Sequence, residues 1–196
     1  MPDTATAQSA GSALSENFTL PQLLARNVAS NPNAPAMREK DRGIWITHSW
    51  RDYDRNVTEF ANGLAALGFK RGEKTTVVGD NRPRLYWAQI ASQSLGGIAV
   101  PVFQDSIASE LVYVLNHAEV GVIVAEDQEQ VDKMLSLRDQ LPSLRLVVYD
   151  DPRGMTDYKE PILKSFEEVQ AIGRDFAAKN PDYLKNEVAK GKPSDV

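Results

Sequence analysis

Four polar pairs stand at comparable places along this chain, each directly after a short apolar run: Asp80-Asn81, Gln104-Asp105, Glu126-Asp127 and Asp150-Asp151. Carboxylates gathered in this way can chelate Mg²⁺ or move protons. The same residue types also cap helix N-termini by accepting first-turn N–H groups. Both readings stay open on the sequence. No glycine-rich run follows any of the four segments, so no cradle of backbone N–H groups for a phosphate is written there, and a rim of acids repels one. His48 and His117 are the only histidines and lie too far apart for metal-ligand spacing. His48 falls in a strand-to-helix connection, and His117 at a helix end where a cation suits the dipole. No Ser-His-Asp set, lysine motif or carboxylate dyad is present, so the residues themselves nominate no catalytic and no metal-binding side chain.

The elements that must position these residues follow from periodicity. From Gly72 to Glu126 the chain reads strand, helix, strand, helix, strand with almost no spare residues. Thr75–Gly79, Ile98–Phe103, Gly121–Ala125 and Leu144–Tyr149 are short apolar runs suited to buried strands. Between them, Leu85/Trp87/Ala88/Ala91/Leu95, Ile107/Leu111/Val114/Leu115 and Val131/Met134/Leu135/Leu141 recur at helical spacing. Pro83 suits a first helical turn, Gly96-Gly97 ends that helix, and Ser106 and Asp127 read as caps. Pro101 inside a strand predicts an irregularity or an unpaired side. Tyr53, Phe60, Tyr86 and Trp87 sit at helical spacing and read as core. The result is an α/β protein, a parallel sheet with helices on both faces, flavodoxin-like or Rossmann-like, with right-handed crossovers.

Four segments follow. Residues 1–17, rich in Ala, Ser, Thr and Gly without Lys or Arg, are expected to be a disordered tail and not a signal peptide. Residues 18–50 carry a helix opened by Thr19, Pro21 and Gln22, then a hairpin whose strands flank Glu39-Lys40-Asp41-Arg42-Gly43. Residues 51–150 form the α/β core, beginning with a helix capped by Ser49 and Asp52 and ended by Gly68. Residues 151–196 read as a loop and peripheral helices, opened by Ser165/Glu168 and Pro181.

Composition closes several other avenues. A net charge of −5 gives no general attraction to nucleic acid or anionic lipid. The absence of cysteine removes disulfides and thiolate chemistry and fits a reducing cytoplasm. No apolar run approaches the roughly 20 residues of a membrane span.

Several short strings, in order, resemble the N-terminal part of AMP-forming acyl-activating enzymes, and among these the long-chain fatty acyl-CoA synthetases. They are Ser49-Trp50-Arg51-Asp52-Tyr53, Leu67-Gly68-Phe69-Lys70-Arg71-Gly72-Glu73, Asp80-Asn81-Arg82-Pro83 with Trp87, Leu95 through Phe103, Tyr113-Val114-Leu115-Asn116 and Lys192 through Val196. The resemblance implies an ATP-dependent ligase: fatty acid, ATP and CoA give acyl-CoA, AMP and pyrophosphate, with Mg²⁺. It also implies that the phosphate loop, the adenine and ribose motifs, the Mg²⁺-side glutamate and the catalytic lysine lie beyond a segment like Lys192–Val196. The chain is therefore expected to be a fragment, inactive alone and binding none of these cofactors tightly. By the same resemblance, Phe103, Gln104 and Asp105 line the channel that brings CoA to the acyl-adenylate, and Lys133 can face the CoA nucleotide. Acetyl-type members carry glycines where this chain has Gln104 and Asp105, so close approach of pantetheine is not implied here. A truncated subdomain is expected to form a homo-oligomer through an open sheet edge or the hairpin. The expected location is cytoplasmic, at most peripheral to a membrane. The other reading is a free-standing, non-enzymatic flavodoxin-like binding module.

Overall fold

The structure, a computed structural model, describes residues 18–195; the tail assigned to residues 1–17 lies outside them. Local sequence dictates how the chain starts. Helix α1 (Leu20–Ser30) opens on a capping box: Thr19 Oγ1 accepts the Gln22 N–H, and Gln22 Oε1 accepts the Thr19 N–H at 3.0 Å. Strands β1 (Pro35–Asp41) and β2 (Ile44–Ser49) pair antiparallel, with Asp41 opposite Ile44. The turn is two residues, Arg42-Gly43, tighter than the five-residue connection read from the sequence. Both take positive φ, 46° and 84°, as a turn matched to strand twist requires, and glycine does so without strain. Helix α2 (Trp50–Ala66) has a second capping box, Ser49 with Asp52, and Gly68 ends it at φ 84°.

The chain then alternates: β3 (Lys74–Val78), α3 (Pro83–Ser94), β4 (Ile98–Ala99), α4 (Ala108–His117), β5 (Val120–Ala125), α5 (Gln128–Ser136), β6 (Leu146–Tyr149), β7 (Leu163–Ser165), α6 (Phe166–Lys179) and α7 (Tyr183–Ala189). Strands β3 to β7 form one parallel sheet in the order β4-β3-β5-β6-β7. Counted within the sheet this is 2-1-3-4-5, the flavodoxin-like order. Both faces are covered, which is why the strands are continuously apolar. Along β5, Val122 and Val124 join the core with α2, α3 and α6, while Ile123 and Ala125 join the core with α4 and α5.

Three further details depart from the sequence reading. The strand expected over Ile98–Phe103 is ladder-paired only at Ile98–Ala99, with one further bridge between Val78 and Val102. Val100 and Val102 donate to the Thr75 and Val77 carbonyls at 2.8 and 3.1 Å, so Pro101 falls at the alternate position, facing away from β3 on the open edge. Ser106 does not cap α4; Ile107 is the cap position and gives no side-chain bond. Finally, residues 151–196 hold more than a loop and peripheral helices. α7 buries no residue, as a peripheral helix should, but Leu163–Ser165 adds a fifth strand. α6 packs along α2: Phe166 is 0 % exposed and stacks on Phe60 with ring centroids 4.2 Å apart. Gly63 and Gly173 let the two helix backbones meet, since a Cβ on Gly173 would fall on the Glu59 carbonyl.

Candidate functional site

In a sheet of this order, the crevice for a ligand opens beyond the strand carboxyl ends where the order reverses, here between β3 and β5. In this protein a side chain already occupies that crevice. The Glu126 carboxylate, following β5, accepts the Asp80 N–H at 2.5 Å and Arg82 Nε at 3.0 Å. Gly79 makes room for it; a Cβ there would strike the Glu126 side chain, and its φ of +145° suits glycine. An internal carboxylate thus holds the place that a phosphate takes in nucleotide-binding sheets.

The rest of the rim is also paired. Arg84 on α3 bonds the Asp150 carboxylate at 2.9 Å and the Glu167 carboxylate at 2.5 Å, and lies 5.3 Å over the Phe166 ring. Arg153 pairs with Asp151. This corrects the picture of a bare acidic rim: the arginines that neutralise it sit two or more residues beyond the strand ends, outside the strings read as rim. Asp127 is a helix cap, accepting the Gln130 N–H at 3.1 Å, while Asp150 and Asp151 serve as ion-pair partners. Burial pushes the Asp150 carboxyl up to about 6; the Arg84 charge and hydrogen bond oppose this, and Glu167 and Glu126 reinforce it. A polar cleft of about 470 Å³ lies between this rim and the hairpin, lined by His48, Trp87, Arg82 and Asp150 among others. His48 bonds Glu39 at 2.9 Å and meets Trp87 edge-on. Its bonding is that of a wall residue. The guanidinium groups lining this cleft already bond carboxylates, so the cleft offers a phosphate no unpaired guanidinium.

The residues carried by the resemblance gather at the neighbouring corner. Phe103, Gln104 and Asp105 follow the edge strand; Phe103 is 85 % exposed. It forms a ridge between two grooves. One, of about 400 Å³, runs toward α3 past Val77, Gly79, Asp80, Tyr86 and Gln89. The other, of about 550 Å³, is more apolar and runs toward Leu111, Tyr113 and Val114 of α4. Gln104 Nε2 donates to Asp80 Oδ1 at 3.0 Å. Lys133 Nζ, on α5, donates to the Gln104 main-chain oxygen and to Gln130 Oε1 at 3.1 Å. The structure thus brings all four nominated residues to one corner, but Lys133 is engaged with the loop. Sequence reasoning missed Asp80 as a bracing residue. The only signal available was that β3 and β4 are neighbours, so their following loops must meet.

Gly96-Gly97 sits at the opposite end of the sheet, where Gly72 N–H bonds Gly96 O at 2.9 Å. Among the described residues, no group of three or more His, Asp or Glu side chains could hold a metal ion, and no helix is long and apolar enough to cross a membrane.

Comparison with known proteins gives this architecture a lineage. The chain is 27 % identical over 177 residues to the long-chain-fatty-acid–CoA ligase ACSBG2 of Xenopus laevis, covering 90 % of this chain and 23 % of that protein. It is 32 % identical over 116 residues to Rv1549 of Mycobacterium tuberculosis, covering 59 % and 65 %. The fold matches acetoacetyl-CoA synthetase of Streptomyces lividans with a TM-score of 0.68 at 21 % identity, over 77 % of this chain and 24 % of that one. It matches the anthranilate CoA ligase AuaEII in complex with anthranoyl-AMP with a TM-score of 0.69 at 21 % identity, over 81 % and 29 %. The chain therefore spans about a quarter of the length of the ACSBG2 ligase and of these two structures. The family model for AMP-binding enzymes matches residues 24–195, and this chain belongs to the AMP-binding enzyme family.

Proposed function

We propose that this chain supplies the N-terminal α/β portion of an AMP-forming acyl-CoA ligase that joins a fatty acid to CoA at the expense of ATP and Mg²⁺. The observation that carries the reading is the pairing of a family match over residues 24–195 with a switch-point crevice filled by Glu126. The sheet acts as scaffold, and nucleotide chemistry is left to groups outside the described residues. Charge neutralisation of a transferring phosphoryl group needs free cations or oriented N–H donors, and Arg82, Arg84 and Arg153 are committed to carboxylates. Phe103–Asp105 would form one wall of the CoA approach. Bound CoA would supply the thiol that accepts the acyl group; this chain's part is to shape the path. The setting is cytoplasmic, at most peripheral to a membrane. A free-standing binding module is less favoured, because it leaves the family match unexplained.

The purified 196-residue chain, given ATP, Mg²⁺, CoA and a fatty acid, should form no acyl-CoA and release no pyrophosphate. It should also bind ATP weaker than micromolar by calorimetry. Product formation, or micromolar ATP binding, would sink this reading of the rim.

The open surfaces suit self-association. β4 leaves one sheet edge uncovered, and Phe103, Ile107, Tyr113 and Val114 stand exposed beside it; Ile44 and Trp45 are exposed on the hairpin. Light scattering at high concentration should report a dimer or larger species. A strictly monomeric chain would count against it.

A further inference from the structure

Resting on the reading of Phe103–Asp105 as a CoA-facing wall, we propose that Gln104 is the keystone of that wall. Asp80 and Lys133 are then positioning residues that hold it from two sides. The loop has little else to fix it. Its strand is ladder-paired for two residues, Pro101 has no N–H to give, and the main-chain bonds to β3 end at Val102. Phe103 projects into solvent and adds little packing. Beyond that point the ties to other elements are polar: the Gln104 amide to Asp80, and the Lys133 ammonium to the Gln104 carbonyl. They reach the loop from the turn after β3 and from α5, so the segment after β4 is fastened to two neighbouring elements.

The arrangement changes what Lys133 does. An ammonium has three donors. Two point at the Gln104 and Gln130 carbonyl oxygens, which ties the side chain to the loop. Lys133 therefore acts on a CoA-like ligand through the position of Gln104, and the ligand portion it governs is the slender amide chain passing Phe103, not the nucleotide phosphates.

The test uses the 196-residue chain, its Lys133→Met, Lys133→Arg and Asp80→Asn variants, and two probes, CoA and pantetheine. Chymotryptic cleavage after Phe103, scored by mass against cleavage after the distant, exposed Trp45, should accelerate roughly tenfold in Lys133→Met, the effect of losing one charge-assisted hydrogen bond. Lys133→Arg should restore the slow rate, and Asp80→Asn should raise it less. In amide NMR spectra, both probes should shift Phe103 and Gln104 in the wild type, and both sets of shifts should shrink in Lys133→Met. Unchanged cleavage in a folded Lys133→Met overturns the brace. Loss of CoA shifts with pantetheine shifts intact makes Lys133 a phosphate ligand and also overturns it. Faster cleavage in Lys133→Met, with no loop shift from either probe in the wild type, leaves the brace standing and overturns the CoA wall.

Discussion

Phe166→Ala should lower the unfolding free energy by about 3–5 kcal/mol, the range for deleting a fully buried aromatic ring. Phe166 opens α6, stacks on Phe60 of α2 and carries the Arg84 guanidinium over its ring. Truncation removes the stack and leaves a cavity between two helices whose backbones are already in contact at Gly63 and Gly173. Those backbones cannot move closer to fill it, so the full cavity cost is expected. Against a typical domain stability of about 5–15 kcal/mol this is a large loss. Phe103→Ala provides the matched control: that ring is exposed, and its removal should change stability by less than about 0.5 kcal/mol. Urea denaturation followed by circular dichroism measures both. If the two substitutions cost the same, α6 is no part of the core.

The second large effect is a dependence on pH. The Asp150 carboxyl is 18 % exposed, and burial outweighs Arg84 in setting its protonation, so its folded pKa stands at about 6 against 3.8 in the unfolded chain. Between those values the native state binds the extra proton. The sign follows: this contribution to stability is fully present below pH 3.8 and is lost as pH rises through about 6. Two pKa units correspond to about 3 kcal/mol. Most carboxylates produce the opposite slope, so Asp150 should flatten the acid limb of the stability curve. In Asp150→Asn the native state gains no proton there, and stability should rise more steeply with pH between about 4 and 6 than in the wild type. Denaturation midpoints at four or five pH values would decide it; equal slopes in the two proteins would exclude Asp150 as the cause.

How much of this was legible beforehand depended on the range of the interactions. Capping boxes at Thr19 and Ser49 involve residues three apart, and both were readable from the chain. The alternating apolar runs specified a parallel sheet because each strand had to be buried on both faces. Leu163–Ser165 escaped notice because three residues with a lysine at the centre carry no usable period; β6 makes them a strand. The rim was misjudged for a related reason. Glu126 is 46 residues from the Asp80 N–H it accepts, and Arg84 is 66 residues from Asp150. Acids are visible in a sequence, but the partners that neutralise them become visible only once the strand order is known. Lys133 shows the same limit: its cationic character was evident, whereas its engagement with Gln104, 29 residues away, was not.

The contact between α2 and α6 also has a consequence during synthesis. Its two side-chain bonds, Gln170 to Asn56 and Arg174 to Glu59, span 114 and 115 residues. At ribosomal speeds the stretch between them takes on the order of 10 s to emerge. Until α6 emerges, Phe60 and Leu64 can rest on α3 once it has been made, but they lack the helix that completes their shelter. A nascent chain paused before Phe166 would present an open apolar stripe, and that is where a chaperone acting on this protein would find its handle.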